Sequence, residues 1–174
     1  VEIARGPMLA VTEPGVHTIT VMCCTQLMKT EFINNIIGYH IHLDPCPILV
    51  VQPSLEMAYA WSKERLAPML RDTPALKGIV REARSRDSGN TILEKNFPGG
   101  LIAIAGANSP AGLASRPIRI VLFDEVDKYP ASAAAEGDPI AIAEERMGTY
   151  FNRLSVRVCS PTVANVSRIE KSYL

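Results

Sequence analysis

The chain has 174 residues, 47% of them apolar, and its 18 lysines and arginines balance 18 acids to a net charge of zero. That length supports one domain with its own core, and the balance excludes a global basic field, so any nucleic-acid contact must come from a local patch. No apolar run approaches the roughly 20 residues that span a bilayer, and the opening "VEIARGPMLAV" has no signal-peptide pattern and starts as an excised fragment would.

"GVHTITVMCC" (15–24) predicts a strand, β-branched and then apolar. "KTEFINNIIGYHIH" follows with Phe32, Ile33, Ile36 and Ile37 at helical spacing. "CPILVVQP" (46–53) is a continuous apolar run, as in a strand buried on both faces. Ser54 can cap the next helix, "LEMAYAWSKERLAPML", whose stripe runs Leu55, Tyr59, Leu66, Leu70, with Pro68 near its end. Residues 71–90 are charged and loop-like around one short helix. Arg71, Lys77, Arg81, Arg84 and Arg86 make the densest basic stretch of the chain. "NTILEKNFPGGLIAIAGA" predicts a hairpin turning at "PGG", and "SPAGLAS" a short helical turn. "IRIVLFDE" (118–125) is another buried strand, ending in two acids. "DPIAIAEERMGTYF" is a helix with Asp138 as cap, Pro139 first and a stripe of Ile140, Ala143, Met147 and Tyr150. "LSVRVCSPT" is the last strand.

Strands alternating with helices predict an α/β fold, a mostly parallel sheet with helices on both faces plus the hairpin. Ligands in such sheets bind at the carboxyl ends of the strands. Three segments share that position: Cys24–Thr30, Asp124–Glu125 and Ser160–Thr162. The four cysteines, Cys23, Cys24, Cys46 and Cys159, form no C-x-x-C pair, and their apolar neighbours predict buried, reduced thiols rather than zinc ligands. His40 and His42 lack an accompanying carboxylate or cysteine cluster and read as ordinary polar surface.

A phosphate loop needs backbone N–H groups aimed at the anion, a helix start behind them, a lysine on the phosphates and a hydroxyl on magnesium. Strand, turn, Lys29, Thr30 and helix supply these in order. The pattern G-x-x-x-x-G-K-[ST] fails at both glycines, where Cys23 and Met28 stand. In "IRIVLFDEVDKYP", a buried strand delivers Asp124 to hold magnesium and Glu125 to polarise the attacking water. The bland alternatives are a K-T pair at an ordinary helix start and an acidic pair that caps a loop. "VCSPT" ends a strand in two hydroxyls, readable as a turn or as a sensor of the γ-phosphate.

Taken together, "TQLMKTE", "DPCPILVVQPSLEMAYAWSKERLAPML", "FPGGLIAIAGANSPAGLASRPIRIVLFDEVDKYP" and "EERMGTYFNRLSVRVCSPT" resemble the ATPase domain of lambda-like phage terminase large subunits, over about residues 15 to 163. The resemblance implies an ASCE-type P-loop NTPase fold and a motor that couples hydrolysis of ATP, with Mg2+, to translocation of double-stranded DNA into a capsid. It implies a nucleotide-holding turn through Thr25, Gln26, Leu27, Met28, Lys29, Thr30 and Glu31, with Lys29 and Glu125 catalytic. Thr30 and Asp124 would hold the metal, and Ser160, Pro161 and Thr162 would couple. Gln52 and Ser54 lie in a segment, "QPSLEMA", expected near the moving parts. Arg116, Arg119, Arg146 and Arg153 are candidates to complete a neighbour's site. The implied partners are DNA, a small terminase subunit, a portal protein and further copies of the chain when assembled, in host-cell cytoplasm and without a membrane. Residues 1–174 are then expected to be a single truncated ATPase domain without the family's nuclease domain. Two other readings stand beside this one: a superfamily-two helicase domain, which shares a "DE" box and an S-x-T motif, and a non-hydrolysing prophage remnant. Met28 is expected to weaken ATP binding by one to two decades if its position needs positive φ.

Overall fold

The computed structural model describes residues 2–80 and 90–174. Helix α1 (Glu2–Ala10) precedes β1 (Thr18–Met22), α2 (Lys29–His42), β2 (Pro47–Gln52), α3 (Leu55–Trp61) and α4 (Ala67–Asp72). There follow β3 (Glu94–Phe97), β4 (Gly100–Gly106), α5 (Pro110–Ala114), β5 (Ile120–Asp124), α6 (Pro139–Glu145), β6 (Leu154–Cys159) and α7 (Arg168–Tyr173). The six strands form one sheet in the order β1-β6-β5-β2-β4-β3. All neighbours are parallel except β3, which pairs antiparallel with β4 through a two-residue turn. In that turn Pro98 is followed by Gly99 at φ 82°, the positive φ a type II turn needs at its third position.

Because side chains alternate across a strand, each central strand feeds two cores. Ile48 and Val50 of β2, Ile120 and Leu122 of β5, and Val156 and Val158 of β6 pack under Phe32, Ile33, Ile36 and Ile37 of α2, together with Trp61 and Leu66. Leu49, Val51, Val121 and Phe123 face the other way, onto Leu113, Ile140, Ala143, Met147 and Ile169. The molecule is thus a sheet between two helical layers, and β2 and β5 are buried on both faces, as their unbroken apolar runs predict.

Several local expectations are corrected. The helix after β2 is interrupted by a π-helical turn at Ser62–Leu66. The extra residue shifts the face, so Ala58, Trp61 and Leu66 are buried while Leu55 and Tyr59 are exposed. Ser54 does cap this helix, its hydroxyl accepting from the Met57 N–H. α6 ends at Glu145, and Met147 reaches the core from the following turn. Asp138 makes no side-chain cap, since its carboxylate takes Arg168 instead. Cys46 and Cys159 are buried, but Cys24 is exposed. His40 is not surface: it lies in the last turn of α2, 2% exposed, with Nδ1 3.3 Å from the Asp44 carbonyl, and burial holds its pKa below the ordinary value. Of the basic stretch, Arg81, Arg84 and Arg86 lie outside the described residues.

Candidate nucleotide site

The order β1-β6-β5 sets three carboxyl ends side by side, and the three suspected segments leave from them. The turn after β1 begins with the Cys23 N–H bonded to the Cys159 carbonyl of β6. It then passes through exposed Cys24, Thr25 and Gln26, half-buried Leu27 and Met28, and enters α2 at Lys29, with Thr30 half-buried and Glu31 exposed in the first helical turn. Gln26 at φ 61° and Met28 at φ 45° are both left-handed, the conformation glycine adopts most easily. Met28 therefore holds the backbone shape its glycine-free sequence left open. The N–H groups of the first helical turn have no partner within the helix, which suits them to an anion.

Lys29 reaches across the sheet ends. Its Nζ lies 2.5 Å from Ser160 Oγ and 3.1 Å from Glu125 Oε1. Glu125 itself sits at φ 57°, ψ 47°, with its N–H on the Val158 carbonyl. β5 thus makes one more ladder bond past Asp124, and the left-handed residue then turns the chain sharply out of the sheet. The second oxygen of Glu125 lies 3.0 Å from Lys128 Nζ. Burial alone would raise the Glu125 pKa, but the bonds from Lys128 and Lys29 outweigh it, so the carboxylate is held below its usual range. Asp124, one residue earlier, is 6% exposed and accepts from Gln52 Nε2 at 3.0 Å. Burial raises its pKa against that hydrogen bond. Gln52, at the end of the neighbouring strand β2, is therefore a direct partner of the acidic pair, while Ser54 serves only its helix.

Ser160 joins Lys29, but Thr162 faces elsewhere: its N–H and hydroxyl both donate to Asp127 Oδ2, at 3.0 and 2.8 Å. Asp127 and Lys128 were missed in the sequence, although both stand within three residues of Glu125 in "DEVDK". The four arginines do not gather at this site. Arg119 clasps Asp44 with both terminal guanidinium nitrogens, and Arg116 pairs with Glu94 at 3.0 Å. Arg146 pairs with Glu145, and Arg153 is exposed with no ion pair among the described residues. Arg119 and Arg153 directly precede β5 and β6, at the opposite end of the sheet. No cluster of three or more metal-ligating side chains occurs among the described residues, and no helix among them is long and apolar enough to cross a membrane.

A lysine at a helix start and an Asp-Glu pair, following parallel strands separated by one strand with a serine just beyond its end, define a P-loop nucleoside triphosphatase. The family can be stated more closely. The model of the phage terminase large subunit gpA ATPase domain matches residues 3–174, and the chain belongs to that family. It is similar to the terminase large subunit of Enterobacteria phage P21, 21% identical over 90% of this chain and 25% of that protein. It is also similar to that of Escherichia phage lambda, 20% identical over 97% of this chain and 26% of that protein. It therefore spans about a quarter of the length of these relatives. Among solved structures, the HK97 bacteriophage large terminase shares the fold at a TM-score of 0.74, with 17% identity over 99% of this chain and 35% of that one. The Thermus phage P74-26 large terminase ATPase domain does so at 0.56, with 14% identity over 90% and 65%.

Proposed function

We propose that the chain is the ATP-hydrolysing motor domain of a terminase large subunit, and that its hydrolysis drives double-stranded DNA into a capsid in the host-cell cytoplasm. The observation that carries this reading is the Lys29–Glu125 contact of 3.1 Å, made between the carboxyl ends of two strands, with Ser160, just past the intervening strand, on the same ammonium. Lys29 grips the β- and γ-phosphates, and the turn from Thr25 to Glu31 surrounds them with N–H donors. A phosphate competes with Glu125 for Lys29, so binding frees a carboxylate that already carries its charge. Glu125 then orients and polarises the attacking water as general base. The Thr30 hydroxyl and the Asp124 carboxylate fit Mg2+, a hard cation that takes oxygen donors. Bound there, it would neutralise charge developing on the phosphates. Ser160, Pro161 and Thr162 relay the phosphate state, the first through Lys29. The small terminase subunit, the portal protein and further copies of the chain are the proposed partners. Arg153, whose guanidinium makes no ion pair among the described residues, is the candidate to act on a neighbour's nucleotide.

The test is Glu125→Gln, which keeps size and hydrogen-bonding shape but removes the charge. ATP binding by calorimetry should persist while turnover falls on the order of a hundredfold or more. Unchanged turnover in an active assembly overturns the assignment of Glu125. Absence of nucleotide binding by the parent chain overturns the function.

A further inference from the structure

The half-buried carboxylate of Asp127, two residues after Glu125, is filled on both oxygens by groups from a different part of the chain. Oδ2 accepts the Thr162 N–H at 3.0 Å and the Thr162 hydroxyl at 2.8 Å, and Oδ1 accepts the Ile169 N–H at 2.9 Å. Between Thr162 and Ile169, the buried Ser167 caps α7 by accepting from the Glu170 N–H. One side chain thus ties the turn behind Glu125 to the segment leaving β6 and to the start of α7. Residues 161–166 between these anchors are exposed, Val163 and Val166 among them, so no apolar packing fixes this stretch. The turn that carries Asp127 is, by contrast, pinned by Val126 and Tyr129, both buried, and the Tyr129 hydroxyl bonds the Val51 carbonyl.

We infer that Asp127 is a positioning residue that transmits the state of Glu125 to α7 as well as to Thr162. The inference rests on the proposed role of Glu125. Glu125 is shared between Lys29 on the nucleotide turn and Lys128 on the same short turn as Asp127. Drawing Lys29 towards a phosphate leaves Glu125 held by Lys128 alone, and the pull on residues 125–128 changes. Charge-assisted bonds to backbone N–H groups are short and directional, so a shift of the Asp127 carboxylate on this pinned turn moves Thr162 and Ile169 rather than being absorbed. α7 can carry the displacement further. Arg168 bonds Asp138 and the Pro130 carbonyl, and Ser172 bonds Thr20 of β1 and Arg157 of β6.

Amide chemical shifts on nitrogen-15-labelled chain, titrated with a non-hydrolysable ATP analogue and Mg2+, test this. In the parent, the amides of Lys29 and Thr30 report binding, and those of Lys171, Ser172 and Tyr173 should shift with them. In Asp127→Asn, Lys29 and Thr30 should still shift while the response of residues 171–173 falls to about a fifth of the parent's or less. The route from the nucleotide turn through β1 to Ser172 is intact in this variant, so a retained α7 response overturns the relay. A parent that shifts at Lys29 but not at 171–173 also overturns it and leaves the ATPase reading standing. A parent silent at Lys29 overturns both. If Asp127→Asn does not fold, Thr162→Val decides: it removes one donor and leaves the Ile169 branch. The response at 161–163 should fall while that at 171–173 persists, and any other pattern refutes the relay.

Discussion

Met28 holds φ at 45° with ψ at 0°, and a glycine-for-alanine comparison at this position tests whether that conformation is strained. An L-residue in the left-handed region costs about 1–2 kcal/mol, and glycine does not carry that cost. Glycine loses more chain entropy on folding than alanine, by about 0.5–1 kcal/mol. Both variants lose the same half-buried methionine side chain, so the burial term cancels between them. Met28→Gly should therefore be the more stable by about 0.5–1 kcal/mol, the reverse of the order at an ordinary helix or strand position. For a chain of this size that is a Tm higher by about 1–4 °C. Thermal unfolding followed by circular dichroism, both variants in one buffer, reads it directly. Equal melting, or a more stable alanine variant, would refute the strain. The structure also moves where that strain acts. Met28 is already left-handed in the folded chain, so the cost falls on folding and not on the binding step. The sequence-based condition of positive φ is met, and on this argument Met28→Gly should leave the ATP Kd within about threefold of the parent by calorimetry, where an effect on the binding step itself would tighten it by one to two decades.

Lys29→Ala removes the ammonium that joins Glu125 and Ser160, and ATP binding should weaken by about 2–3 kcal/mol, the scale of lost charge-assisted hydrogen bonds; equal affinity refutes its role. Lys128→Ala removes one of the two cations that depress the Glu125 pKa. In the proposed mechanism Glu125 acts as its anion, so the parent should keep its turnover as pH falls through the ordinary carboxylate range and lose it only below. The variant should lose turnover at higher pH, and a kcat–pH profile with an unmoved acid limb contradicts the pairing. DNA binding by the isolated chain should be weak and fall steeply and linearly in a log–log plot against salt, with little base preference, because phosphate contacts carry it. Salt-independent, sequence-specific binding would refute that.

The buried strands were legible because β2 and β5 are apolar on both faces, and that condition leaves unbroken runs such as "PILVV" and "IVLF". α2 was legible to the residue because Phe32, Ile33, Ile36 and Ile37 keep the 3.6 period from its first turn. The helix after Ser54 was misread for the complementary reason. Its period is broken by one inserted residue in the π-helical turn, and an insertion of that kind leaves no compositional mark. Asp138 looked like a cap, but its carboxylate is claimed by Arg168, 30 residues away, and a cap is a local rule that a distant ion pair can override. α7 went unseen because six residues with Ile169 as their one buried member carry no periodicity.

The site itself was legible as three segments but not as one place. Lys29, Glu125 and Ser160 are separated by 96 and 35 residues in the chain, and they meet only because β6 inserts between β1 and β5. Strand order is a tertiary property, and nothing in the individual strands encodes it. What the sequence does encode, as departures from its own rules, is where the chain must bend at those ends. Glu125 and Met28 are both non-glycine residues in the left-handed region, one at each side of the Lys29 bridge. Such conformations persist only where surrounding contacts over-determine them, and they gather at working sites. Here the contacts are identifiable: the Glu125 N–H on Val158 and the Phe32 N–H on the Met28 carbonyl hold the two backbones. Glycine in either place would ease the turn and loosen it as well. A long side chain is required at 125 because the carboxylate must reach Lys29, so the strain at that residue is inseparable from its chemistry. At 28 no such requirement appears, and the glycine–alanine comparison applies there without touching the reacting groups.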